Sequence, residues 1–402
     1  MDSMRRLPDR DTLRSALGLG GGKALLRRLR RTSREHPSTP EPADASTQRA
    51  SADIESLRNT KESVDALITD ELSRWVKPRA LRDNGDEYRR QVEALLDAAE
   101  PGHLTHPMVR CLERNDLSLR SGLSFRALMV AQSEARRAGT FRAGWLLDNK
   151  TNAYAFVDEL GVRRPKTDRA VHRIGELEPV SPVVIKPVRS TGSRGTYLVF
   201  GLDSIRHLRD GTEFSSWQQM LEHARELMSP AATVNPLTDR WMVEEMILED
   251  TAAQRPARDV KFYTFYGEIL LISESRRMPD GSQEVRFWDS HGEPTFTGSE
   301  RHHFFAGADG VPKHEHELVR EISTEIPAPF MRIDMLRGED GLVFGEFTPR
   351  PGNFEQLNST WDRAFGEAWV RAEGNIIADV LGGKSFVTFA KATGTDRPRP
   401  VR

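Results

Sequence analysis

The sequence contains a single cysteine, Cys111, among 402 residues. One thiol cannot form a disulfide within the chain, so the fold is held together without disulfides, as is usual in a reducing compartment such as the cytoplasm. Cys111 lies in the apolar helical stretch 108–112, where a small buried residue is the more common role and a catalytic thiol the rarer one.

The chain also lacks long hydrophobic runs and a strong overall charge. No segment approaches the roughly 18 apolar residues of a membrane span, and no apolar stretch follows the basic N-terminus as it would in a secretory signal. We therefore expect a cytoplasmic protein without an integral membrane segment. The formal net charge is −2, which argues against a nucleic-acid partner held by overall electrostatics.

The N-terminal residues differ in composition from the rest of the chain. Residues 1–52 combine an arginine-rich run at 26–31 with a stretch at 33–51 that is rich in proline, serine and threonine. Such a segment has little to bury and predicts a basic, disordered tail. Residues 12–31 could also form a short basic amphipathic helix that docks on an anionic surface or partner. A solvated tail is the simpler interpretation.

The remainder of the chain shows two patterns. Residues 53–145 have apolar positions three and four apart, which predicts a helical region. Beyond this region, short β-rich runs alternate with a few helical segments, and Asp340–Gly341 lies between two such runs as a hairpin turn. This texture predicts an α+β fold with mainly antiparallel sheets.

Two carboxylates are predicted to face each other across the last hairpin. Strand alternation places Arg332 and Asp334 on one face of the first strand, and Phe344, Glu346 and Thr348 on one face of the return strand. Adjacent carboxylates repel unless a cation lies between them, and oxygen ligands on a rigid sheet suit magnesium. A surface hairpin with solvated charges is the alternative.

A lysine followed by a glycine-rich turn forms a second candidate element. Lys186 ends an apolar strand, and a second strand begins soon after it. Small residues let backbone N–H groups approach phosphate oxygens, while a lysine neutralises charge. The turn between the strands contains Ser190, Thr191, Gly192, Ser193 and Gly195. The turn alone is weak evidence, but the lysine and the carboxylate hairpin strengthen it.

Two more strand segments carry candidate ligand-binding groups. The first ends a strand with apolar residues whose backbone could hold a purine: Glu244, Glu245, Met246 and Ile247. The second places Asp259 and Lys261 on one face, where they could hold a ribose hydroxyl and a phosphate. An ordinary half-buried strand with a solvated charged face explains Asp259 and Lys261 equally well.

Two other polar groups have competing interpretations. Arg276 and Arg277 follow a strand expected near the cleft and could bind a substrate carboxylate in bidentate fashion, although a solvated strand end is as common. The histidines of the polar stretch, together with Glu315, could suggest a metal cluster, but they share no fixed ligand face, which favours a surface loop. These are His302, His303, His314 and His316.

The order of these blocks resembles the ATP-grasp superfamily, and most closely its TupA-like branch, named for teichuronopeptide biosynthesis. The resemblance covers roughly 146–375. No single block is specific, but six blocks in the same order are. They are Leu147–Lys150, Val184–Pro187, Glu244–Ile247, Asp259–Phe262, Arg332–Asp334 and Gly345–Pro349.

The resemblance implies an ATP-grasp fold, in which two α+β subdomains grip ATP, preceded here by the helical region. The first subdomain would span 146–256 and carry the glycine-rich lid. The second would span 257–390 and carry the magnesium site, and a disordered tail would follow at 391–402.

The resemblance also implies a role for each candidate residue. Lys150 and Lys186 would bind the α- and β-phosphates, and the turn 190–195 would close over the γ-phosphate. Glu244 and the backbone of 245–247 would hold adenine, with Asp259 at the ribose. Asp334 and Glu346 would bind magnesium, and Arg332 would stabilise the transferring phosphoryl group. Thr348 replaces an asparagine common in the family, but its hydroxyl can still bind magnesium or a bound water.

The implied activity is an ATP- and magnesium-dependent ligation of a carboxylate to an amine through an acyl-phosphate. The product would be an amide on a peptide, a cell-envelope polymer or a secondary metabolite, made from small-molecule or peptide substrates. A phosphotransferase acting on a hydroxyl and a non-catalytic ATP-binding scaffold remain alternatives. We expect Asp334→Asn or Glu346→Gln to abolish turnover and leave the fold intact.

Overall fold

The computed structural model describes most of the chain beyond the N-terminal tail, and the chain divides into two compact units, Met1–Gly122 and Leu123–Arg402. The predictions for 1–42 and for Thr191, His302 and Asn353 lie outside the described residues. Those residues are 43–77, 80–81, 84–119, 123–168, 170–190, 192–231, 233, 235–278, 280–298, 303–352 and 354–396.

The first unit is helical where it is described. Its helices are α1 (Ala43–Trp75), α2 (Gly85–Ala98) and α3 (His106–Arg114), so α1 begins inside the segment 1–52 that was predicted to be a tail. Cys111 is buried in the core of this unit, and burial raises the pKa of its thiol. This environment suits a packing residue rather than a reactive one.

The second unit begins with helices and not with a strand. Helix α4 (Phe125–Arg137) is followed by a 3-10 turn (Ala143–Asp148) and α5 (Lys150–Glu159). The Asn149 side chain accepts a 2.9 Å hydrogen bond from the backbone N–H of Thr151, and this cap fixes Lys150 at the start of α5. The later helices are α6 (Trp217–Met228), α7 (Lys313–Thr324), α8 (Ser359–Leu381) and α9 (Val387–Thr393).

The first sheet of this unit has five antiparallel strands in the order β4-β3-β2-β1-β5. Ile185, Tyr197 and Trp241 are buried on one face, against α6. Because side chains alternate along a strand, Lys186 and Glu244 lie on the opposite face. The strands are β1 (Val183–Pro187), β2 (Tyr197–Gly201), β3 (Ser204–His207), β4 (Glu213–Phe214) and β5 (Trp241–Glu245).

The second sheet has the order β11-β10-β9-β8-β13-β14, with β12 parallel to β10 and the other pairs antiparallel. The α+β class with mainly antiparallel sheets is therefore confirmed. A small ribbon precedes it, formed by β6 (Leu248–Asp250) and β7 (Arg255–Pro256). The sheet comprises β8 (Arg258–Phe265), β9 (Glu268–Arg277), β10 (Gln283–Asp289), β11 (Pro294–Thr295), β12 (His303–Phe304), β13 (Met331–Gly338) and β14 (Gly341–Thr348).

The predicted hairpin is formed by β13 and β14, and it turns at Gly341 with a φ of 120°. Asp334 lies directly opposite Glu346, as predicted. The register then shifts, because Met335 pairs with Phe344 and leaves Gly345 as an extra residue. The prediction that Phe344 shares a face with Glu346 is therefore wrong. A β-bulge reverses the alternation at that point, and Phe344 is buried in the core.

In the described part of the chain, no helix is long and apolar enough to cross a membrane.

Candidate functional site

A cavity of about 580 Å³ opens between the two sheets of the second unit. Its walls are formed by α5 and the turn before it, the loop after β1, and the β13–β14 hairpin. Segments far apart in sequence therefore meet at one place. Among the residues predicted from the sequence, the cavity is lined by Lys150, Lys186, Ser190, Gly192, Ser193, Arg332, Glu346 and Thr348.

Two lysines share one end of the cavity. Lys186 forms an ion pair with the buried carboxylate of Glu244, which also accepts a 2.7 Å hydrogen bond from the Tyr154 hydroxyl. Burial favours the neutral form of Glu244, but the charge and hydrogen bond of Lys186 outweigh it and hold the pKa of Glu244 below its usual value. Burial, and then the charge of Lys186, lower the pKa of Lys150 to about 8. Two ammonium groups around one carboxylate favour the binding of an added polyanion.

The lowered pKa of Lys150 makes anion binding at this end dependent on pH. The free protein loses the Lys150 charge as pH rises through about 8, and only the charged form attracts phosphate. We expect the affinity for inorganic triphosphate, measured by calorimetry, to fall about tenfold between pH 7 and pH 9. The Lys150→Arg variant keeps its positive charge over this pH range and serves as the control. Any change in its affinity reports the titration of the triphosphate itself. Equal pH profiles for the two proteins would contradict the assignment.

The glycine-rich turn after β1 presents one side to the cavity and packs the other against the core. Gly192 and Ser193 line the cavity with left-handed φ angles of 63° and 59°. Gly195 faces inward, and its N–H donates a 3.0 Å hydrogen bond to Nε2 of His207. A Cβ at Gly195 would lie 2.8 Å from Leu237, so the core leaves no room for a side chain there.

Replacing the two glycines of this turn separates backbone strain from packing. Gly192 and Gly195 both have positive φ angles, but nothing lies within 4 Å of a Cβ built at Gly192. We expect Gly192→Ala to lower the free energy of unfolding by about 1 kcal/mol through backbone strain alone. Gly195→Ala adds a steric clash and should lower the free energy of unfolding by about 3 kcal/mol. Urea denaturation measures both, and equal losses would show that the core around Gly195 relaxes freely.

Arg332 and Thr348, which line the cavity, belong to a buried charge network. Arg332 donates to both oxygens of Asp334 at 2.6 Å and to the Thr348 hydroxyl at 3.2 Å, while Lys261 donates to Asp334 at 3.2 Å. Burial raises the pKa of Asp334, but the charges of Arg332 and then Lys261 outweigh burial and leave the pKa below its usual value. Asp334 is therefore an anion held by two cations.

Glu346 differs from Asp334 in having free access to the cavity. It is exposed there, and within the described residues its carboxylate forms no ion pair. The cleft walls limit the hydration of the Glu346 carboxylate, and this is the main reason why the pKa of Glu346 is raised. The negative charge of Asp334 is the second reason. A cation at this position would relieve the repulsion between the two carboxylates.

These oxygens suit a hard cation such as magnesium. Glu346 offers both carboxylate oxygens, and Asp334 has about four lone-pair sites, of which Arg332 and Lys261 occupy three. The described residues contain no group of three or more His, Cys, Asp or Glu side chains that could hold a metal. Magnesium here would thus be bound by Glu346 and Asp334 together with water and substrate oxygens, which is its usual manner.

The segment predicted to hold adenine lies outside the cavity lining. The N–H of Glu245 donates to the carbonyl of Lys166 at 2.8 Å, and the carbonyl of Ile247 accepts a 3.0 Å hydrogen bond from Ala257. Met246 and Ile247 are buried. Some of the backbone groups expected to hold a purine are thus already paired within the protein, and their role in binding stays a prediction.

Asp259 and Arg276 also lie away from the cavity lining. Asp259 is 3.5 Å from the ammonium of Lys261 and joins the network around Asp334. Arg276 forms a 2.9 Å ion pair with Glu284 and lines a separate pocket of about 260 Å³. Arg276 lines a different pocket from Arg332 and Lys186. The catalytic role of Arg276 therefore stays a prediction.

Several lining residues were missed in the sequence. Tyr154 holds Glu244, and its position four residues after Lys150 on a helix could have revealed it, because such residues share a face. Trp145, Arg136 and Arg350 also line the cavity. Arg136 lies at the end of α4 with no local motif to mark it.

The chain matches a family model and has distant similarity to solved structures. A family model described as TupA-like ATPgrasp matches residues 131–370. Among solved structures, a D-alanine–D-alanine ligase from Bacillus anthracis is 14% identical over 62% of this chain and 69% of that chain, with a TM-score of 0.34. ATP-grasp ligase PsnB complexed with minimal precursor is 11% identical over 66% and 73%, with a TM-score of 0.33. No curated protein matches. These TM-scores are too low to assign a fold, so the fold is assigned from the family model.

Proposed function

The chain belongs to the TupA-like ATP-grasp family, and we propose that it is an ATP-dependent ligase that joins a carboxylate to an amine. The resemblance predicted from the sequence is confirmed, and so is its fold class, the ATP-grasp fold with a helical region before it. A reaction that consumes ATP and a chain with one cysteine are both suited to the cytoplasm.

The observation that carries the proposal is the charge arrangement of the cavity between the two sheets. Lys150, Lys186, Arg332 and Glu346 all line this cavity. A triphosphate bound there would meet three cations and a carboxylate that could share a metal ion with it. Phosphoryl transfer needs little beyond such positioning and charge neutralisation.

In the proposed reaction, an oxygen of the carboxylate substrate attacks the γ-phosphorus of ATP, and ADP leaves. The neutral amine then attacks the carbonyl carbon of the acyl-phosphate, and inorganic phosphate leaves with the bond electrons and takes up the proton that the amine nitrogen loses. Arg332 stabilises the charge on the transferring phosphoryl oxygens, and Asp334 holds Arg332 in place. Glu346 and Asp334 would hold magnesium, which would supply positive charge to neutralise the phosphate oxygens.

Trapping with hydroxylamine tests this proposal against its alternatives. The protein is incubated with ATP, magnesium, hydroxylamine and a panel of carboxylic acids. We expect a hydroxamate together with ADP, because hydroxylamine intercepts the acyl-phosphate. Phosphate attached stably to a hydroxyl would indicate a phosphotransferase instead. Binding of ATP without ADP formation from any acid would indicate a non-catalytic scaffold.

A further inference from the structure

A cluster of two arginines and a tryptophan lines the same cavity as the proposed phosphate-binding groups. The guanidinium carbon of Arg136 lies 4.9 Å from the centre of the Trp145 ring, and that of Arg350 lies 5.8 Å from the same centre. All three side chains line the cavity that contains Lys150 and Glu346. We call them the Arg136–Trp145–Arg350 cluster.

The backbone around the cluster holds its members in place. Trp145 belongs to the 3-10 turn immediately before Lys150, so the same short segment supplies both side chains. Arg350 lies between Pro349 and Pro351, whose rings restrict the backbone at this point. Trp145 and Arg350 are therefore attached to the two segments that also carry Lys150 and Glu346, while Arg136 lies at the end of α4.

The two guanidinium groups of the cluster are not neutralised by the protein. Within the described residues, neither Arg136 nor Arg350 forms an ion pair with a carboxylate. The hydrogen bond that Arg350 makes is a 3.2 Å donation to the Ser133 hydroxyl, which is uncharged. Both arginines are exposed and can be reached from the cavity. Two like charges on one indole ring repel each other, and a bound anion would relieve that repulsion.

The cavity lining contains basic side chains beyond those proposed to bind the phosphates of ATP. The lining has five basic side chains, Arg136, Lys150, Lys186, Arg332 and Arg350, against two acidic ones, Asp148 and Glu346. Lys150, Lys186 and Arg332 are accounted for by the proposed phosphates. Arg136 and Arg350 are left over at the side of the cavity where Trp145 lies.

We propose that the Arg136–Trp145–Arg350 cluster binds a second carboxylate of the acid substrate, one that is not phosphorylated. This inference rests on the proposed ligase function. The guanidinium fork matches a carboxylate in planar, bidentate geometry. The substrate class is therefore a dicarboxylic or polycarboxylic acid, such as an acidic amino acid or an acidic oligomer. A monocarboxylic acid would leave the cluster without a partner.

Direct binding measurements test this inference separately from catalysis. The full-length protein with ADP and magnesium is titrated by calorimetry with α,ω-dicarboxylates of four to eight carbons, each paired with its monocarboxylate of equal length. We expect at least one dicarboxylate to bind about tenfold or more tightly than its partner. Arg136→Gln combined with Arg350→Gln should remove that preference and leave ADP affinity unchanged. Arg137→Gln, at the adjacent exposed position, should change neither.

The outcomes separate this inference from the proposed function. No preference for any dicarboxylate, or a preference that survives in the double variant, would overturn the inference even if hydroxamate forms. Tighter arginine-dependent binding of inorganic phosphate than of any dicarboxylate would also overturn it, since the cluster would then be a phosphate site. A dicarboxylate preference without any hydroxamate would support the cluster and count against the ligase.

Discussion

Glu346→Gln should reduce ATP turnover about a thousandfold and leave the stability of the protein almost unchanged. Glu346 is the carboxylate of the hairpin that is open to the cavity, and within the described residues it has no cationic partner. A metal ion at this position contributes several kcal/mol of charge stabilisation, and each 1.36 kcal/mol corresponds to a factor of ten in rate. The amide has the same shape but binds magnesium weakly.

Stability should respond differently from activity in this variant. Burial, and then the charge of Asp334, raise the pKa of Glu346 and outweigh the attraction of Lys261, Arg332 and Lys150, so removing the Glu346 charge should not destabilise the fold. We expect the free energy of unfolding to stay within about 0.5 kcal/mol of the wild type. ADP release and urea denaturation measure the two effects. Glu317→Gln, on the exposed side of α7, serves as the control and should retain full turnover, and full turnover in Glu346→Gln would remove Glu346 from the metal site.

The sequence predicted the hairpin well because its signals are local. The Asp340–Gly341 turn fixes the pairing from Gly338 with Gly341 to Met335 with Phe344, and without a bulge this register would pair Asp334 with Gly345. The pairing of Asp334 with Glu346 follows from the register shift at Gly345. The bulge at Gly345 could not be predicted in this way, because it depends on contacts across the sheet. A Cβ at Gly345 would lie 3.0 Å from the carbonyl oxygen of Asp334, a closeness that only the paired strands create.

The sequence also could not predict which charged residues would pair with one another. Residue types marked Glu244 as a ligand-binding candidate, but the fold uses its carboxylate to hold Lys186 and Tyr154. Arg276 was predicted near the cleft as a residue that could bind a substrate carboxylate, and in the structure it pairs with Glu284 at a different pocket. Which partner a charged side chain finds depends on how distant strands and helices pack, and not on the local pattern.

The structure changes the prediction for the stability of the Asp334→Asn variant. The sequence led us to expect that Asp334→Asn would stop turnover and leave the fold intact, as for Glu346→Gln. The structure shows Asp334 buried, with Arg332 and Lys261 bound to its oxygens. Its pKa is held low by those cations, so the protein is stabilised by the charge that the substitution removes.

Asp334→Asn should therefore lose turnover and also about 3 kcal/mol of unfolding free energy, because two buried cations are left without their anion. Urea denaturation of Asp334→Asn beside Glu346→Gln measures the difference between the two carboxylates. The double variant Asp334→Asn with Lys261→Met removes one of the stranded cations and should recover part of the loss, which a double-mutant cycle quantifies. If Asp334→Asn is as stable as the wild type, the buried network does not stabilise the folded state, and Asp334 serves substrate or metal binding alone.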